Sequence, residues 1–104
     1  MTRTISSQHH IDDEIVGAKR ADGDYEVLVS PEFEIKGMMV RIVLDGHHSL
    51  AAAKADGVEP EWIEASARDD DRIGLLNDGK IDDFLSTTWM DGDYYDVETG
   101  EMVW

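Results

Sequence analysis

The chain has 104 residues, with 24 Asp plus Glu against nine Lys plus Arg and a formal net charge of -15. That length fits one domain with a modest core and excludes a second. At 41% hydrophobic, with three Trp, three Tyr and two Phe and no cysteine, it is too rich in core formers for a disordered tail, and it excludes a disulfide framework, a thiolate metal site and thiol chemistry.

Residues 1–10 are polar, lack an apolar stretch of signal-peptide length and are expected to be loose. A short helix is predicted over 11–20, where Asp12, Asp13 and Glu14 meet the positive end of the helix dipole and Lys19 and Arg20 the negative end. Ala21-Asp22-Gly23-Asp24 stops it. Tyr25 to Val29 reads as a strand that Ser30-Pro31 interrupts, and Phe33-Glu34-Ile35 as a half-buried strand leading into a Lys36-Gly37 turn. Met38 to Leu44 is nearly all apolar, which burial on both faces explains, so it is the expected central strand.

His47 to Asp56 is a predicted helix that Gly57 ends, its alanines suited to close packing on a sheet. Val58 to Glu64 returns as a strand, which Pro60 confines to an edge or to the region before Trp62. Strand, turn, helix and strand in series predict a β-α-β unit. Beyond the acidic loop at Asp69 to Asp71, Arg72 to Leu76 forms one helical turn, and Asn77-Asp78-Gly79 turns the chain. Ile81, Phe84, Leu85 and Trp89 fall on one face of a helix over 81–90. Residues 94–104 read as a hairpin turning at Glu98-Thr99-Gly100. The expected fold class is α+β: a small mixed sheet packed by two or three helices, with its core over 11–64 and an acidic C-terminal helix and hairpin over 65–104.

The buried strand followed by Leu44-Asp45-Gly46-His47-His48-Ser49-Leu50-Ala51-Ala52-Ala53 resembles the signature of the ParB/sulfiredoxin-like superfamily. There a strand leads into Asp-Gly-His-His-Arg or a related set and then Leu-Ala-Ala on a helix. The resemblance spans Tyr25 to Ile63 at its most generous and implies a ParB/sulfiredoxin-like core over 11–64. It also implies a nucleotide at Asp45, Gly46, His47, His48 and Ser49, where free amides at a helix start can cradle a phosphate. Ser49 stands where the family has an arginine, and supplies a hydrogen bond without a countercharge. His47 stands where sulfiredoxin-type activity needs a cysteine, so the resemblance implies a fold more than an activity. On the other reading, His48 and Ser49 only cap and pack the helix start.

Charge disfavours direct contact with nucleic acid and with an anionic membrane, since no basic cluster is longer than Lys19-Arg20. Residues 69–104 carry eleven acids against Arg72 and Lys80, leaving -9. Such a surface either keeps the chain dispersed or imitates nucleic acid and fits a basic groove. The candidate partner-binding residues are Asp69, Asp70, Asp71, Asp82, Asp83, Asp91, Asp93, Asp96 and Glu98. The expected function is a non-enzymatic inhibitor that occupies a basic protein or nucleoprotein complex. In size and charge the chain resembles small acidic phage proteins that block restriction or CRISPR machinery. The alternative is a degenerate nucleotide-binding or phosphotransfer protein.

Neither a metal nor another cofactor is expected. Adjacent histidines in His9-His10 and His47-His48 point apart, no zinc spacing is present, and Asp69-Asp70-Asp71 and Asp91-Gly92-Asp93 lack the alternation of a calcium loop. Trp62, Trp89, Trp104, Tyr94 and Tyr95 are assigned to the core or the hairpin, with Trp104 alternatively a candidate interface anchor. The expected compartment is the cytoplasm.

Overall fold

The computed structural model describes residues 2–103; Trp104, the candidate anchor, lies outside them. In chain order the elements are β1 (Arg3–Ser6), α1 (Asp13–Asp22), β2 (Glu26–Val29), β3 (Phe33–Ile35), β4 (Met38–Asp45), α2 (His47–Asp56), β5 (Glu61–Glu64), α3 (Arg72–Asn77), α4 (Ile81–Thr88) and β6 (Tyr95–Asp96). The fold is α+β. Its mixed six-stranded sheet runs β5-β2-β4-β1-β6, with β3 also paired to β4.

The apolar run of β4 lies at the centre, as its composition predicts. Leu28 pairs with Asp45 and Phe33 with Val40, so β2 and β3 act as one antiparallel partner broken at Ser30-Pro31. Alternate β4 side chains serve opposite faces. Val40, Ile42 and Leu44 share a core with Ile73 of α3 and Phe84 of α4, while Val43 packs with Val27, Val29 and Leu50 of α2.

Several expectations are corrected. Residues 1–10 are not uniformly loose, because β1 lies between β4, to which it is parallel, and β6. Its single large apolar residue, Ile5, is fully buried, as is Ser6, and this polar strand owes its place to backbone pairing on both edges. The segment 65–103 contributes to the same sheet and core as 11–64, since Ile73, Phe84 and Tyr94 share the core of Ile5 and β6 pairs with β1. Helix α2 does not build a parallel crossover from β4. It delivers the chain to β5, which is parallel to β2 while β4 is antiparallel to it. Trp89 is 55% exposed rather than on the core face, because α4 ends at Thr88 and Trp89 is already extended (φ -63°, ψ 134°).

Candidate functional site

The turn from β4 into α2 is built around Gly46. Its φ of 91° is left-handed, and a β-carbon there would stand 2.5 Å from the Glu26 carbonyl oxygen. Glycine is therefore demanded by the packing of β2 against the turn, whether or not a ligand is present. Asp45 accepts the Gly46 amide at 2.8 Å.

The next three residues point to different places. His47 is buried and shares a 2.6 Å hydrogen bond with the Ser6 hydroxyl; burial lowers its pKa from 6.5 to about 4, against the raising field of Asp45. The His48 ring accepts the Asp12 amide at 3.2 Å, beside the start of α1. Ser49 is buried, and its hydroxyl donates to Asp24 at 3.4 Å. None of the three caps α2, whose start has no side-chain cap; each bonds instead to a different part of the chain.

A cavity of about 300 Å³ nevertheless opens here, lined in part by Asp45, Gly46 and Ser49. Asp24 and Glu26 line it too, against one cation, Lys19. The Lys19 ammonium lies 2.9 Å from Asp24, whose hydrogen bond holds the lysine pKa above its ordinary value. An entering phosphate would face three carboxylates and one committed ammonium, a balance that opposes binding.

The nine candidate docking acids divide by environment. Asp70 holds Arg72 through both carboxylate oxygens at 2.6–3.1 Å, and this pairing keeps its pKa low. Asp91 accepts the amides of His9 (2.6 Å) and His10 (3.1 Å), tying down the segment after β1, and these bonds depress its pKa. Asp96 is 6% exposed, accepts the amides of Glu98 and Thr99, and faces Arg3 at 3.9 Å. It belongs to the hairpin turn and is withdrawn from the docking set. Asp69, Asp71, Asp82, Asp83, Asp93 and Glu98 are exposed.

Cations are largely spent within the chain. Arg3, Lys19, Arg20 and Arg72 stand in ion pairs. The Arg41 guanidinium donates to Thr4 at 2.8 Å and lies 4.5 Å from the Trp62 ring centroid, and Lys54 donates to the Val97 carbonyl. The ion pairs among the described residues join Arg3, Lys19, Arg20 and Arg72 to Asp24, Asp56, Asp70, Asp96 and Glu101, in a chain of nine bases and 24 acids. Among the same residues no group of three His, Cys, Asp or Glu converges to hold a metal, and no helix is long and apolar enough to cross a membrane.

No protein-family model matches the chain, and no curated protein or solved structure matches it significantly.

Sequence reasoning missed the commitment of Asp91 and Asp96. The signal available was local for Asp96, since Asp-Val-Glu-Thr-Gly is a turn in which Asp accepts amides two and three residues on. For Asp91 there was none, because its partners lie more than eighty residues away along the chain.

Proposed function

We propose that this chain is a non-enzymatic, acidic protein-binding inhibitor that occupies the nucleic-acid-binding groove of a basic partner. The observation that supports the reading is the charge imbalance of the surface: 24 acids stand against nine bases, and Asp69, Asp71, Asp82, Asp83, Asp93 and Glu98 are exposed. Solubility needs far less than a net charge of -15. A folded surface so unbalanced attracts cationic grooves at long range and repels polyanions, which gives a fast, salt-sensitive encounter.

The six exposed acids Asp69, Asp71, Asp82, Asp83, Asp93 and Glu98 are the proposed contacts. Asp82 and Asp83 occupy the first turn of α4, where the helix dipole also favours them. The test is affinity capture from the native host's lysate at low salt, followed by competition between this protein and nucleic acid for the captured partner. Displacement of nucleic acid that weakens as salt rises, and that is lost when the six acids become amides, is the expected result. Capture of nothing specific, or displacement indifferent to the six substitutions, overturns it.

The second reading, a nucleotide at residues 45–49 in a degenerate ParB/sulfiredoxin-like core, draws on the 300 Å³ cavity. It requires thermal stabilisation by a nucleoside triphosphate with magnesium. A flat titration at millimolar ligand removes it.

A further inference from the structure

A second cavity, of about 280 Å³, opens on the α2 face of the sheet. Leu50 of α2, Val58 and Pro60 ahead of β5, Trp62 of β5 and Val97 after β6 give it an apolar wall. Glu59 and Glu98 also line it, and both are exposed. Its one lining cation, Lys54, donates to the Val97 carbonyl and keeps its charge, so the lining carries two carboxylates against one ammonium.

Trp62 is only partly buried, yet its ring is held by two contacts. The indole N–H donates to Glu59 at 3.1 Å, and the Arg41 guanidinium lies over the ring at 4.5 Å. A tryptophan already ordered in the free protein loses little conformational freedom when covered. Ordered Trp and Arg side chains in a desolvated pocket are also the residues that concentrate binding energy at interfaces.

We infer that this cavity is the anchor of the docking surface: it takes one aliphatic side chain of the partner, flanked by lysines or arginines that reach Glu59 and Glu98. The inference rests on the inhibitor reading and adds to it where affinity is concentrated and which sequence the partner presents. Charge complementarity selects this occupant. The lining is net negative in a chain of net charge -15, which opposes an anion, and a neutral apolar ligand would cover the carboxylates without a partner. A basic segment carrying an aliphatic residue satisfies both wall and rim.

The probe is a synthetic peptide with one leucine between two lysines on each side, compared with the same peptide carrying serine in place of leucine. Each is titrated into the isotope-labelled full chain at low salt, with the Trp62 indole N–H and the amides of Leu50, Val58 and Val97 followed by NMR. The leucine peptide is expected to move these signals at least about tenfold more tightly than the serine peptide. Glu59→Gln with Glu98→Gln should weaken both peptides and reduce their salt dependence. Val58→Ser alters a residue 43% exposed, so the fold survives, and it should weaken the leucine peptide several-fold. Equal binding of the two peptides, with shifts centred on Asp69, Asp71, Asp82 and Asp83, overturns the anchor and leaves the inhibitor reading standing. Binding of neither peptide overturns both.

Discussion

Ser6 Oγ and His47 Nε2 lie 2.6 Å apart in the interior, joining β1 to the first turn of α2. Burial drives the His47 pKa down to about 4, so the folded protein holds this ring neutral where the unfolded chain would protonate it near 6.5. The unfolded state then binds the extra proton, and stability falls as pH drops from 6.5 towards 4. The full contribution is present above pH 6.5, and its loss is on the order of 3 kcal/mol at most. Chemical denaturation at pH 7 and pH 4.5 should show this loss, and His47→Gln should flatten it. The lowered pKa values of Asp24, Asp56, Asp70 and Asp91 act below this window, because their ordinary value is 3.8.

Truncation after Ser7 removes β1 and exposes one edge each of β4 and β6. We expect an unfolded or aggregating product by circular dichroism and size-exclusion chromatography. Retention of a native spectrum would return residues 1–10 to the status of a loose end.

Gly46→Ala combines a left-handed φ with overlap against the Glu26 carbonyl. It should cost about 2–4 kcal/mol in thermal or denaturant unfolding. Loss of any function in this variant is therefore a folding effect. Asp24→Asn is the cleaner probe of the adjoining cavity: it frees Lys19 and removes one carboxylate, and a nucleotide that binds there should bind more tightly to this variant.

Asp96→Ala and the pair Asp82→Asn with Asp83→Asn should separate structure from docking. The first loses two amide partners and the Arg3 contact and should destabilise the chain by about 1–3 kcal/mol. The second changes exposed side chains, trading dipole stabilisation against relief of repulsion, and should leave stability within about 1 kcal/mol. Partner affinity should fall in the second at unchanged melting temperature.

Sequence pattern located the elements whose burial is written in their own side chains. The Met38 to Leu44 run became β4, and Gly23 and Gly57 ended α1 and α2 with left-handed caps. Phe84 sits fully buried on its predicted face. What stayed hidden depended on partners distant along the chain. Arg3-Thr4-Ile5-Ser6 has one large apolar residue, and only pairing with both β4 and β6 makes it an inner strand. At the Gly46 turn the cluster of polar residues was legible, but the diversion of His47 to Ser6, His48 to Asp12 and Ser49 to Asp24 was not. Nor was the cavity beside Trp62, whose walls come from three separated stretches of chain.

Among the described residues β5 pairs with β2 along one side only, and Glu61 and Glu64 stand exposed at its two ends. An open strand of this kind is a template for a second copy of the same chain. In an antiparallel self-pairing centred on β5, Glu61 of each copy would fall opposite Glu64 of the other, so like charges would meet at both ends. Negative charge at Glu61 and Glu64 therefore opposes pairing of two copies of the chain through this open edge.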